Sequence, residues 1–153
     1  MGLIHCIYAS EAADGFVAHE HLPHILSTAR QKNSVLGVTG MLLHTSGSFF
    51  QVLEGPDVAV DALFSGISRD PRHRSITLII REVIAKRAFA DWTMGYVDMT
   101  EHEIAALVGL NDFFGHGHCI TEIGPGRAKK LLHAFAKGRW RARLGDSADR
   151  NAA

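Results

Sequence analysis

Hydrophobic and polar positions along this chain follow two different periods, and the switches between them mark out its elements. Residues 3–10 (LIHCIYAS) put Ile4, Cys6 and Tyr8 on one parity and Leu3, His5 and Ile7 on the other, so both faces of the strand they predict are largely apolar. Such a strand belongs in the middle of a sheet that is covered on both sides. Between 19 and 31 the spacing changes: Leu22, Ile25, Leu26 and Ala29 recur at i, i+3, i+4 and i+7, the stripe of an amphipathic helix. Pro23 suits a helix only in its first turn, which puts the expected start at 19–22, and the end is expected by Asn33 or Ser34. Two short strands follow at 38–44 and 48–54, joined by the turn residues Thr45, Ser46 and Gly47. In the second of them Phe49, Gln51 and Leu53 share a face, so a polar amide points where bulky apolar side chains point.

A second helix is predicted over 57–69, with Val60, Leu63, Phe64 and Ile67 on its buried stripe, Asp57 as N-cap, and Asp70 and Pro71 stopping it. Residues 75–83 (SITLIIREV) read as a further strand, and residues 89–99 as another in which Trp92, Met94 and Tyr96 share one parity. The order β-α-β-β-α-β-β defines an α+β class with a ferredoxin-like sheet and two helices on one face. First and third strands are neighbours in that topology, which makes Tyr8 and Gln51 cross-strand partners on the same side. Thr100 and Glu103 form a capping box for a short helix over 100–108, and the stretch 109–126 is loop-like. From Gly124 a basic amphipathic helix carrying Ala128, Leu131, Leu132 and Phe135, reaching as far as Trp140, is expected to cover the second face. The expected organisation is a domain at 1–99, a helical extension at 100–145 and a disordered tail at 146–153.

With 153 residues, 46% of them hydrophobic, the chain can build one core without disulfides or metal. No apolar run reaches the length of about 18 residues that a membrane span requires, and MGLIHC has neither the charged region nor the apolar stretch of a signal peptide, which points to the cytoplasm. Cys6 and Cys119 lack CxxC spacing and read as reduced thiols. The zero net charge conceals an asymmetry, because eight basic residues and only two acidic ones lie from Arg127 onward, leaving the rest acidic. A polarity of this kind suits a charged protein partner or a homo-oligomer, not nucleic acid spread over the whole surface.

Familiar chemistries are mostly excluded. His21 and His24 share a helix face, and His116, His118 and Cys119 cluster in a glycine-rich loop, but neither set completes a metal site. Gly115 and Gly117 lack the third glycine of a dinucleotide fingerprint, and neither a Walker sequence nor a nucleophile elbow is present. What remains is a group of polar or polarisable side chains at core-facing positions: Tyr8, Asn33 and Gln51, with Trp92 and Met94 on a nearby strand. Each has an ordinary structural explanation: a tyrosine bonded to a carbonyl, an asparagine capping a helix, tryptophan and methionine filling a core. Together they would suit a flat ligand with a carbonyl-and-nitrogen edge. Other readings of the fold stay open: a small acylphosphatase-type enzyme, for which Arg30 and Asn33 would cradle an anion, a flavin-binding module without photoactivity, and an RNA-binding module stacking bases on Phe49, Phe50 and Trp92.

Five separated motifs carry a resemblance: YAS at 8–10, VTGMLL at 38–43, FFQVLEGP at 49–56, DPRH at 70–73 and FADWTMGY at 89–96. In order and spacing, over residues 3 to about 98, the chain resembles the BLUF family of blue-light sensors. The resemblance implies FAD held non-covalently between the two helices on the sheet, and a short stand-alone member without turnover of its own. It implies that Tyr8 is the electron and proton donor, that Gln51 lies between Tyr8 and the flavin, and that Asn33 bonds the flavin's polar edge. Trp92 and Met94 would lie on the strand that responds to light, while Arg30, Lys32, Asp70, Arg72 and His73 surround the ring edge and the cofactor tail. Output would pass to a separate effector, such as a cyclic-dinucleotide phosphodiesterase or a response regulator. Ala29 and Lys32 stand where some members carry a polar Ser, Asn or His.

Overall fold

The computed structural model describes residues 2–45, 47–98 and 123–136. Strands β1 (Leu3–Ala12), β2 (Thr39–Thr45), β3 (Ser48–Pro56), β4 (His73–Val83) and β5 (Gly95–Asp98) form a sheet of order β4-β1-β3-β2-β5. Helices α1 (Ala18–Leu36) and α2 (Asp57–Ser68) follow β1 and β3, and α3 spans Pro125–Ala136. The first four strands are mutually antiparallel where they pair, and β5 runs parallel to β2. This is the expected ferredoxin-like arrangement extended by one strand, and it puts β1 and β3 side by side with Tyr8 opposite Gln51.

The double-faced apolar pattern of β1 is explained by what covers it. Ile4, Cys6 and Tyr8 pack with Leu42, Phe49 and Leu53 under α1 and α2, whose Leu22, Leu26 and Val60 complete that core. Ile7 packs with Met41, Leu43, Phe50 and Val52 on the opposite face, under Ala128, Leu131 and Leu132 of α3. The C-terminal helix therefore covers the second face as its stripe predicts, entering through Pro125 at its first position, where a missing N–H costs no hydrogen bond.

Several boundaries differ from the sequence expectation. Helix α1 begins at Ala18, so Pro23 falls in the second turn. It also continues to Leu36, because the stop is Gly37, whose φ of 72° closes the helix with the Val38 N–H donating to the Asn33 carbonyl. Strand β4 starts two residues early and contains two register shifts against β1, with Ser75 at φ 53° in the second. The strand expected over 89–99 is only Gly95–Asp98; residues 89–94 form turns and bends, closed by a Trp92 N–H to Phe89 carbonyl bond of 3.1 Å. The expected helix at 100–108, the His116, His118 and Cys119 cluster and the tail at 146–153 lie outside the described residues.

The irregular stretch before β5 is tied to the sheet by a carboxylate. Glu54 on β3 is fully buried and accepts from the Ala88 N–H (2.9 Å), the Phe89 N–H (2.7 Å) and the Thr39 hydroxyl (2.9 Å). Arg87 closes the clasp by donating to the Thr39 hydroxyl, the Glu54 carbonyl and the Gly37 carbonyl. Nearby, Gly40 donates to the Trp92 carbonyl, and a Cβ at Gly40 would lie 1.9 Å from the Val52 carbonyl oxygen, so only glycine fits. Glu54→Gln keeps the volume but turns one acceptor oxygen into a donor facing N–H groups, and it should cost about 1–3 kcal/mol. The expected outcome is a lower urea midpoint with an unchanged m-value; an unaltered midpoint would show that the clasp contributes nothing.

Candidate functional site

Between α1, α2 and the sheet lies a cavity of about 450 Å³, within the range of small-molecule sites. Phe16, Ile25, Leu42, Phe49 and Leu53 supply apolar walls, and Tyr8, Gln51 and Asn33 bring polar atoms to it. Lys32, Asp70, Arg72 and His73 also line it. The parity of β1 and β3 produces this convergence: Tyr8 and Gln51 face the same side because they oppose one another in the ladder.

Tyr8 donates its hydroxyl hydrogen to Gln51 Oε1, and Gln51 Nε2 donates to the Met94 sulfur at 3.4 Å. A thioether is a weak acceptor, so the amide N–H₂ can turn to a better acceptor on a ligand edge. Burial pushes the Tyr8 phenol well above its ordinary value, with the neighbouring Cys6 and Asp70 acting in the same direction, and the hydroxyl stays protonated. Asn33 donates to the Thr93 carbonyl at 2.7 Å, while its Oδ1 is buried with no partner among the described residues. An orphaned acceptor on a cavity wall calls for a donor on the ligand.

At the α2 end, His73 Nε2 donates to the Ile67 carbonyl (2.7 Å), which leaves Nδ1 to accept from the Ser10 hydroxyl (2.7 Å). The imidazole thus fixes the exit of α2 to β1, two residues from Tyr8. Arg72 forks onto Asp70, with Nε 2.9 Å from Oδ1, and this hydrogen bond holds the Asp70 carboxyl below the usual range.

Two placements differ from expectation. Trp92 does not share a face with Met94: the turn at 89–92 carries it to the α3 side, where its ring stacks on Phe89 at 5.6 Å. Met94 lies on the cavity side with Tyr8 and Leu53. Arg30 does not line the cavity; it is buried and donates through Nε (2.9 Å) and Nη2 (2.8 Å) to the Met94 carbonyl. With Arg30 and Asn33 both engaged by backbone carbonyls, the anion cradle of an acylphosphatase is not formed. The aromatics required for base stacking are also covered, since Phe49, Phe50 and Trp92 are all buried.

Sequence reasoning passed over Glu54 and Ser10. The signal was available for both: Glu54 shares the parity of Phe50 and Val52, and Ser10 that of Tyr8, so each is a polar group at a core-facing strand position. No cluster of metal-ligating side chains occurs among the described residues, nor is any described helix long and apolar enough to cross a membrane.

A ligand-binding α+β domain with a buried phenol and amide at the wall of its cavity is the class that fold and site define. The comparisons with known proteins are more specific. Residues 3–95 match the family described as "BLUF: Sensors of blue-light using FAD", and the chain belongs to that family, whose members sense blue light through a bound flavin. It is 38% identical over 92 residues to the photoactivated adenylate cyclase subunit beta of Euglena longa; the match takes in 60% of this chain but only 10% of that protein. Among solved structures it is similar to BlsA in its photo-activated state (TM-score 0.77, 26% identity, 89% of this chain and 96% of the other). It is similar also to BlrB in the dark state (TM-score 0.71, 31% identity, 88% and 96%).

The buried protonated groups have a consequence for stability. Burial, the largest cause, pushes the Cys6 thiol from 9.0 up to about 12, and the Tyr8 phenol moves in the same direction. Both are neutral in folded and unfolded chains at lower pH. Above about 9 the unfolded chain releases protons that the folded one keeps, so the free energy of unfolding falls with rising pH. Denaturation midpoints measured from pH 8 upward should decline from about pH 9, and Cys6→Ala should flatten the first part of that decline. A slope identical in the variant would show that the thiol is not its source.

Proposed function

We propose that this domain binds FAD in the cavity between α1 and α2 and works as a photoreceptor whose switch is the Tyr8 and Gln51 pair. The observation that carries the proposal is the hydrogen-bonded row from Tyr8 and Gln51 on the cavity wall to Met94 behind it, beside an Asn33 oxygen with no partner among the described residues. Bound flavin absorbs blue light and becomes a strong oxidant. Asn33 would take a donor from the polar edge of the ring, and Lys32, Asp70, Arg72 and His73 would meet its rim and tail. The FAD assignment, in place of the shorter FMN, follows the family description and the cationic side chains among those lining the site.

Tyr8 is suited to giving up an electron and a proton together, because burial keeps the proton on its oxygen until it is oxidised and Gln51 Oε1 already accepts the hydroxyl. Gln51 has a donor at one end of its amide and an acceptor at the other, so rotation or tautomerisation reverses the polarity it presents. A carboxylate would carry charge there, and an alkyl group could not signal. Met94 stands against the amide, and the same segment carries Trp92 to the opposite face. The output, in this reading, is a change in contacts passed to a separate effector. A phosphodiesterase or a response regulator would suit that role, and the Euglena relative pairs such a sensor with a cyclase by name.

Two variants test the switch in flavin-loaded protein. Gln51→Leu should keep the cofactor and lose the light-induced red shift of its absorbance; a normal photocycle in that variant rules Gln51 out. Tyr8→Phe should leave the flavin bound and more fluorescent, with no accumulation of the red-shifted form. Persistence of that form would assign the donor role to another residue.

A further inference from the structure

Arg30 presents a problem of its own. It is a buried guanidinium, 6% exposed, on the inner side of α1, and its two hydrogen bonds go to one neutral oxygen, the Met94 carbonyl. Its Nη1 is buried with no partner among the described residues. Such a group is costly to desolvate, and burial lowers its pKa from the ordinary arginine value. A plain structural tie to this carbonyl needs no charge, as Asn33 shows one turn further along α1, where a neutral amide holds the Thr93 carbonyl.

The surroundings say what the charge does. Residues 93 and 94 lead into β5, and Gly95 is the first residue to pair with β2. Their carbonyls are held by α1, while the Met94 side chain lies against the Gln51 amide at 3.4 Å. For that amide to rotate, the sulfur must yield, and it yields only as far as the Met94 backbone allows. A forked, charge-assisted bond restrains the backbone more than a single neutral one.

Resting on the photoreceptor reading, we propose that Arg30 is a positioning residue that sets the lifetime of the light-induced state by latching the Met94 backbone to α1. It takes no part in light absorption or in the hydrogen bond between Tyr8 and Gln51. Its restraint on Met94 raises the barrier that Gln51 crosses in both directions. Nη1, which has no partner among the described residues, would give the latch a spare donor if the segment shifts.

The test uses the full chain with Arg30→Lys, Arg30→Gln and Arg30→Met, with and without flavin. In flavin-free protein, backbone amides of Gly95–Asp98 should exchange hydrogen faster in the Gln and Met variants, with β1 and β3 amides unchanged. In loaded protein the red shift should keep its size, while dark recovery accelerates by at least about tenfold, the lower end of what losing a hydrogen bond to a charged donor gives. Arg30→Lys, which keeps the charge but not the fork, should fall between. Unchanged exchange in β5 overturns the latch. Faster exchange with unchanged recovery overturns its kinetic role, and so does loss of flavin uptake in all three variants, which would make Arg30 a cofactor-holding residue instead. Absence of any red shift in the unaltered protein would instead defeat the photoreceptor reading itself.

Discussion

The constraint on which the structure depends is the register of β1 against β3, which sets Tyr8 opposite Gln51 in the middle of the sheet. Side chains alternate faces with period two, so a slip of one residue would send Gln51 into the apolar layer under α3 and bring Val52 to the cavity. The register is therefore pinned repeatedly. The tight β2–β3 connection fixes Thr45 opposite Ser48, Gly40 permits an approach to β3 that any side chain would block, and the His73 bridge from Ser10 to Ile67 fixes the far end. None of these features touches the Gln51 amide, yet each helps decide which way it points.

The segment from 87 to 94 follows a different logic. Its backbone groups are satisfied largely by side chains from elsewhere: two N–H groups by Glu54, two carbonyls by Asn33 and Arg30. Each such bond can be exchanged singly, whereas a ladder between strands breaks as a unit. Around a candidate switch this gives a segment that is ordered without being part of the rigid sheet.

Much of the fold was legible in the residues. The two-faced apolar pattern of β1, the helical stripes and the order of elements lead to the sheet topology, and with parity they pair Tyr8 with Gln51 before any coordinates. The errors fall where periodicity stops being informative. Trp92 and Met94 are two residues apart and would share a face in a strand, but the turn at Phe89 breaks the period. Helix α1 outruns its apolar stripe, because its end is decided by the left-handed conformation of Gly37 and not by hydrophobic spacing. Arg30 was readable as cationic and near the site, but its target is a backbone carbonyl, and no side-chain pattern announces a backbone acceptor. Glu54 was overlooked although the argument that singled out Gln51 applies to it with opposite parity.

Trp92 and Met94, separated by one residue, belong to opposite layers of the molecule, while the Trp92 carbonyl is held by the Gly40 N–H at the sheet margin. Mechanically this is a rocker, with the sheet edge as its fulcrum and one large side chain on each arm. In the proposed switch, a push on the cavity arm that leaves the fulcrum intact would be answered on the other arm, where the indole lies in the same core as α3. In that reading the sheet itself can stay still, and a change in the cavity would reach the opposite surface around its rim.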